Sequence, residues 1–165
     1  MSVSFLRIDD RMIHGQTVTR WSLEYPCDGL IAVNERAANT KALKMAYKSA
    51  STKKTFVWTY EAWKQKNQKV LDSKDQYFLI TKDPIQMKKI LVDDGFVPSD
   101  VKKVIVGPCN DRPGATKLGN NQSITQEEAE ALEAIYQAGY EIEFALIKEA
   151  SIGSWNKFRG QFGFN

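Results

Sequence analysis

The chain has 165 residues, of which 42 % are apolar and 26 % charged, with a formal net charge of +3. These values are ordinary for one soluble globular domain, and without a run of about 18 apolar residues the chain is not expected to be a membrane anchor. The 23 basic and 20 acidic residues look interspersed, which argues against a nucleic-acid partner.

The N-terminal segment has no basic stretch followed by an apolar core, so no secretory signal is indicated and we expect a cytoplasmic protein. Cys27 and Cys109 lie far apart and outside any CxxC pattern. We therefore expect two free thiols, and neither a disulfide framework nor a metal site.

Apolar runs alternate with helical stretches, which predicts a single α/β domain over 1–165 with a mainly parallel central β-sheet and helices on both faces. The first unit is a strand over 3–8 and a helix over 16–23. A strand over 30–33 follows. Asn39 is then predicted to cap a helix, and a third strand begins at 55–58. The buried face of that capped helix would carry Ala42, Leu43, Ala46 and Tyr47.

A fourth strand is predicted at 77–80, a fifth at 101–106 and a last one at 142–147. Asp83 and Pro84 indicate one helix start, and Thr125 with Glu128 forms a capping box at another, which Gly139 ends. Residues 107–122 are rich in Gly, Pro and Asn and predict a functional loop. The tail, 151–165, is polar with spaced aromatics, and we expect it to pack on the domain or on a partner chain.

The single histidine, His14, follows the first predicted strand, where loops of an open α/β sheet form a ligand crevice. Its imidazole offers a nucleophilic ring nitrogen, and a carboxylate from Asp9 or Asp10 could orient the ring. Arg11 supplies a fork of donors suited to a phosphoryl group. The start of the next helix suits the same anion because of its unpaired N–H groups; it comprises Gly15, Gln16 and Thr17.

The segment RIDDRMIHGQTVTRW resembles the phosphorylation-site signature of the mannose/fructose/sorbose family of phosphotransferase IIB proteins. The resemblance extends over about 3–150 and includes IAVNERAANT, VIVGPCNDRPG and GYEIEFALI, whereas the aromatic tail over 151–165 diverges. It implies the same fold, a mainly parallel sheet covered by helices.

Membership of this family would imply a cytoplasmic phosphotransferase, peripherally associated with membrane components IIC and IID. His14 would accept a phosphoryl group, derived from phosphoenolpyruvate, from a phosphorylated IIA protein and deliver it to a sugar. Arg11 would bind that group, helped by Gly107 and by Thr81. The resemblance also makes a homodimer plausible, and we expect no cofactor.

Two positions depart from the family pattern. Asn34 stands where an acidic residue is common, and Pro108 follows Gly107 where a second glycine is common, which removes one backbone N–H donor. Two other functions stay open. One is a module that binds a phosphate ligand without covalent chemistry, and the other is a small hydrolase with His14 as general base and Asp9 as its orienter. No phosphate-loop motif or serine elbow supports either one.

Overall fold

The computed structural model describes residues 2–98 and 101–165, with the backbone alone for Gln16 and Thr17. Its strands are β1 (Val3–Ile8), β2 (Gly29–Val33), β3 (Lys54–Trp58), β4 (Tyr77–Thr81), β5 (Lys103–Val106), β6 (Ala115–Gly119), β7 (Gln122–Thr125), β8 (Glu141–Ala145) and β9 (Ser151–Ser154). Its α-helices are α1 (Gly15–Trp21), α2 (Glu35–Asn39), α3 (Lys41–Ser49), α4 (Tyr60–Asp72), α5 (Pro84–Lys88), α6 (Gln126–Gln137) and α7 (Trp155–Phe158). A π-helical segment, Lys89–Asp93, extends α5.

Within the described ranges, seven strands form one sheet in the order β3-β2-β4-β1-β5-β8-β9. All neighbouring pairs are parallel except β8 with β9, which is antiparallel at one edge. β6 and β7 form a separate antiparallel hairpin. The predicted class, α/β with a mainly parallel sheet, is confirmed.

Each face of the sheet carries its own hydrophobic core. One core includes Trp63 of α4, Met87 of α5 and Leu132 of α6. The opposite core includes Val18 and Trp21 of α1. The helices therefore cover both faces, as predicted. None of the helices described here combines the length and the hydropathy that a bilayer crossing requires.

Helix α3 differs from the prediction in its start and in its burial. Asn39 does not cap it, because the side chain of Asn34 accepts a hydrogen bond from Ala37 N at 2.9 Å and starts the short α2, which ends at Asn39. An asparagine caps a helix as well as an aspartate does, which accounts for Asn34 in place of the acidic residue. No residue of α3 is fully buried, and Ala42 and Ala46 are exposed.

The helix starts predicted from capping residues are confirmed for two helices. Asp83 accepts from Gln86 N at 2.9 Å with Pro84 in the first turn of α5. Thr125 and Glu128 form the predicted capping box of α6. Beyond the end of that helix, Gly139 has a φ of +104°, a conformation that glycine adopts without a Cβ clash.

Residues 107–122, predicted as an irregular loop, contain β6 and the start of β7. The turn between the two strands uses Asn121 at a φ of +54°, a left-handed conformation that asparagine tolerates better than most residues. The prediction was wrong here because these short polar strands lack the apolar alternation that marks a strand.

The tail folds back on its own domain. β9 pairs with β8, and the Trp155 side chain is fully buried. The carboxylate of Glu133 on α6 accepts hydrogen bonds from Trp155 Nε1 at 2.9 Å and from Arg159 Nε at 3.0 Å. One buried carboxylate thus holds two tail side chains against α6.

Candidate functional site

The loop that carries His14 starts at the carboxyl end of β1, between β4 and β5. It is tied to both neighbours by backbone hydrogen bonds. Asp9 N donates to Thr81 O at 2.9 Å on one side, and Asp10 N donates to Pro108 O at 2.9 Å on the other. The sheet therefore fixes where the loop begins.

The loop turns sharply and is anchored by two apolar side chains. Met12 N donates to Asp9 O at 2.9 Å, and Met12 has a φ of +51°. Met12 and Ile13 are both buried in the core beneath α1. Both side chains close the core under the turn. Burial of both holds the left-handed turn in place.

The imidazole of His14 lies over the carboxylate of Asp9. His14 Nε2 is 3.1 Å from Asp9 Oδ2, and the His14 side chain is 14 % exposed. An ionised carboxylate only accepts hydrogen bonds, so Nε2 donates to Asp9, which in the neutral imidazole leaves the lone pair on Nδ1. Nδ1 has no hydrogen-bond partner among the residues described. The arrangement leaves one ring nitrogen able to act as a nucleophile.

A residue that sequence reasoning missed, Arg7, lies beneath this pair. Its Nε donates to Asp9 Oδ2 at 3.2 Å, and its two Nη atoms donate to the carbonyl oxygens of Ala145 and Leu146 at 3.2 and 3.0 Å. The guanidinium also lies 5.2 Å from the ring centroid of Trp21. The available signal was an arginine inside the largely apolar strand VSFLRI. A buried arginine is rare without a partner.

Burial and the neighbouring charges together set the pKa of both buried partners. Burial alone would raise the pKa of Asp9, but the His14 hydrogen bond, the Arg7 charge and the Arg11 N–H together hold it below its ordinary value. Arg11 N donates to Asp9 Oδ1 at 2.8 Å. Burial lowers the pKa of Arg7, while Asp9 opposes that effect. Asp9 is therefore an ionised carboxylate whose Oδ2 contacts both Arg7 and His14.

Gly107 and Thr81 are buried and support the residues of the candidate site. A Cβ on Gly107 would lie 2.3 Å from Arg7 Nη2, so only glycine leaves room for the guanidinium. Gly107 N donates to Ile8 O at 2.7 Å. Thr81 is fully buried, and its hydroxyl donates to Asp83 O at 2.8 Å. Neither residue presents a polar group to the surface beside His14.

The Asp10 side chain makes its hydrogen bond to the backbone of Asn110 and none to His14 in the described part of the chain. Its Oδ2 accepts from Asn110 N at 2.7 Å, whereas its Oδ1 is buried without a hydrogen-bond partner among the described residues. It lines a cleft of about 280 Å³ together with Lys82 and Arg112. Burial raises the pKa of Asp10, and the nearby charge of Asp9 adds to that effect. Of the two acids considered as orienters of the histidine, the structure brings only Asp9 to the ring.

Arg11 and Gly15 lie on the exposed side of the loop. The Arg11 side chain is exposed and makes no ion pair within the described part of the chain. Gly15 opens α1, and a Cβ there would lie 3.0 Å from Ala50 O, so the helix packs closely on the end of α3. The side chains of Gln16 and Thr17 lie outside the described residues.

The two cysteines are free thiols, as predicted. Burial raises the pKa of Cys109 to about 12 and that of Cys27 to about 11, so both stay protonated near neutrality. Across residues 2–98 and 101–165, no group of three or more His, Cys, Asp or Glu side chains is placed to hold a metal ion.

The chain is similar to known proteins over nearly its whole length. A family model described as "PTS system sorbose subfamily IIB component" matches residues 3–164, a range that includes most of the aromatic tail. The "PTS system sorbose-specific EIIB component" of Lacticaseibacillus casei is 24 % identical over 151 residues, 90 % of this chain and 89 % of the relative. The "PTS system mannose-specific EIIAB component" of Escherichia coli (strain K12) is 26 % identical over 87 % of this chain, which spans 44 % of that longer protein.

Solved structures share the fold. The IIBSor domain of the sorbose permease from Klebsiella pneumoniae superposes with a TM-score of 0.82 at 20 % identity, covering 97 % of this chain and 98 % of that one. An N-acetylgalactosamine-specific IIB component from Escherichia coli gives a TM-score of 0.76 at 22 % identity, covering 88 % and 94 %. Together with the match of the family model, these likenesses establish that the chain belongs to the sorbose subfamily of PTS system IIB components.

Proposed function

We propose that this protein is a phosphotransferase that carries a phosphoryl group on His14. It accepts the group from a phosphorylated IIA protein and transfers it to a sugar during uptake through membrane components IIC and IID. The observation that carries the proposal is the pairing of His14 Nε2 with Asp9 at 3.1 Å, which leaves Nδ1 without a partner among the described residues, on a partly exposed ring.

In the first step the lone pair of His14 Nδ1 attacks the phosphorus of the IIA phosphohistidine. A bond forms between Nδ1 and phosphorus while the phosphorus–nitrogen bond of IIA breaks, and the IIA imidazole keeps that electron pair. The ring of His14 then bears a substituent on both nitrogens and gains positive charge. Asp9 stabilises that charge through the Nε2–H hydrogen bond.

In the second step a sugar hydroxyl oxygen attacks the phosphorus. The bond from phosphorus to Nδ1 breaks, the hydroxyl proton is released, and the electron pair returns to Nδ1. Phosphoryl transfer depends mainly on positioning and on cations near the equatorial oxygens. The exposed Arg11 guanidinium is the cation nearest in sequence, and we assign it to those oxygens.

Arg7 and Asp9 act together beneath the ring. An isolated buried carboxylate would repel an incoming phosphoryl group, but its pairing with Arg7 offsets the charge. We assign Gly107 and Thr81 to support of this pair, and the backbone N–H groups of Gly15, Gln16 and Thr17 to the phosphoryl oxygens. Asp10 is assigned to orientation of the loop through Asn110.

The names of the relatives indicate the substrate class, a hexose or hexosamine of the mannose, sorbose or N-acetylgalactosamine type. The proposed partners are IIA, IIC and IID, with a cytoplasmic protein held peripherally at the membrane complex and no cofactor. We also propose a homodimer, because the chain belongs to this family.

The test is phosphorylation in a reconstituted system of phosphoenolpyruvate, the general phosphotransferase proteins and a matching IIA. We expect an acid-labile, base-stable phosphoprotein for the wild type and none for His14→Gln. A protein that binds phosphate without a covalent bond would support a binding module, and steady release of phosphate would support a hydrolase. A His14→Gln protein that still acquires phosphate would contradict the proposal.

A further inference from the structure

One edge of the molecule collects positive charge. Residues 41–74 contain nine lysines against two acids, Glu61 and Asp72, for a net charge of +7, so the remaining residues carry a net −4. The even spread of charge expected from the sequence is wrong for this segment. The segment comprises α3, β3 and α4, and β3 is one of the two edge strands of the sheet. We call residues 41–74 the lysine edge.

Most of these charges have no carboxylate partner. Lys54 pairs with Asp75 and Lys64 pairs with Glu61. The other seven lysines make no ion pair within the described part of the chain; they are Lys41, Lys44, Lys48, Lys53, Lys66, Lys69 and Lys74. Unpaired like charges that lie close together repel one another and destabilise a fold. An anionic surface outside the molecule would relieve this repulsion.

Apolar and aromatic groups lie among the lysines. A cleft of about 200 Å³ opens between β3 and α4, with Phe56 and Trp58 in its wall and Lys66 and Lys69 at its rim. Lys66 Nζ lies 4.9 Å from the Trp58 ring centroid. On α3, Met45 is 58 % exposed. Aromatic rings beside lysines are the side chains that settle at the interface between water and lipid.

The kind of cation narrows the choice of partner. All nine basic residues of the lysine edge are lysine, and all six arginines of the chain lie elsewhere. Acidic peptides and nucleic acids are recognised preferentially by arginine forks, whereas lysine acts as a point charge toward a diffuse anionic field. These features favour a flat, charged lipid surface.

We propose that the lysine edge binds the surface of a bilayer that contains anionic phospholipid, with the phosphates on the lysines and Trp58 at the level of the headgroups. This contact goes beyond the proposed phosphoryl transfer and does not require it. It would give the protein its own affinity for the membrane, separate from any contact with membrane proteins.

The experiment measures sedimentation of the full chain with vesicles of phosphatidylcholine alone or mixed with phosphatidylglycerol. We expect binding to the mixed vesicles only, and its loss at about 1 M salt, where the screening length falls to about 3 Å. Replacing Lys48, Lys66 and Lys69 by Gln should weaken binding on the order of 100-fold. The matched control replaces Lys102, Lys117 and Lys157, which are exposed and lie outside the lysine edge, and should change binding only a few-fold.

Fluorescence gives an independent readout. Trp21, Trp63 and Trp155 are buried, and Trp58 is the remaining tryptophan. Lipids brominated in the acyl chain should therefore quench mainly Trp58.

His14→Gln should bind vesicles as the wild type does, so failure of the phosphocarrier proposal would leave this result intact. Equal weakening by both lysine triplets, no vesicle binding, or binding to RNA in place of vesicles would overturn the proposal.

Discussion

Replacing Arg7 by Met removes the buried cation beneath Asp9. The guanidinium makes three hydrogen bonds, one to Asp9 at 3.2 Å and two to backbone carbonyls at 3.2 and 3.0 Å. Methionine fills much of the same space, so the loss is mainly that of one partner of a buried ion pair, about 3–5 kcal/mol. We expect Arg7→Met to lower the free energy of unfolding by that amount near neutral pH, measured by urea denaturation.

The pH dependence of the same variant tests the cause. In the wild type the pKa of Asp9 lies below its ordinary value of 3.8. Ionised Asp9 therefore stabilises the fold fully above pH 3.8, and this stabilisation is lost as the pH falls through the lowered pKa. Without Arg7 the pKa of Asp9 should rise. The difference in stability between wild type and Arg7→Met should then shrink in acid, as Asp9 becomes neutral.

A second substitution separates stability from function. Arg7→Met with Asp9→Asn removes the unpaired charge, so we expect it to recover at least half of the lost stability while phosphorylation of His14 stays impaired. Arg7→Met with a free energy of unfolding within about 1 kcal/mol of the wild type would refute the reasoning. A double variant less stable than Arg7→Met would refute it as well.

Three further predictions concern single residues. Arg11→Ala should slow phosphoryl transfer from IIA about 10²- to 10³-fold in rapid-quench kinetics, and Arg11→Lys should restore part of the rate; transfer at the wild-type rate would remove Arg11 from the site. Gly107→Ala should cost about 1–3 kcal/mol in urea denaturation, because its Cβ would lie 2.3 Å from Arg7 Nη2, and unchanged stability would contradict that close contact. The hydrogen bond from Arg159 lowers the pKa of Glu133 to about 2, although burial opposes this effect. The ionised Glu133 carboxylate therefore stabilises the fold fully above its ordinary pKa of 4.5, and this stabilisation is lost as the pH falls toward 2. Glu133→Gln should therefore destabilise the protein by about 2 kcal/mol near neutrality, and equal losses at neutral and acid pH would argue against the ionised contact.

The sequence placed His14 at the carboxyl edge of the sheet because local signals were sufficient there. A histidine in the loop that follows a buried strand lies at the carboxyl edge of a parallel sheet whatever the rest of the chain does. The sequence shows that Asp9 and Asp10 lie near His14, but which of them contacts the ring depends on the turn at Met12. No sequence pattern predicts a φ of +51° for a methionine.

Arg7 could not be placed from its neighbours in the sequence. Two of its three hydrogen-bond acceptors, Ala145 and Leu146, lie 138 and 139 residues away, and they reach it only when β8 is added beside β5. The role of Gly107 follows from Arg7 and was hidden for the same reason. Local sequence patterns do not predict contacts between strands that are distant in the chain.

Long-range ¹⁵N–³¹P correlation NMR on the protein phosphorylated by IIA tests the central claim most directly. The hydrogen bond from His14 Nε2 to Asp9 predicts that the phosphoryl group is coupled to Nδ1, with Nε2 still bearing its proton. Coupling of phosphorus to Nε2, or phosphate found on any residue other than His14, would contradict the account.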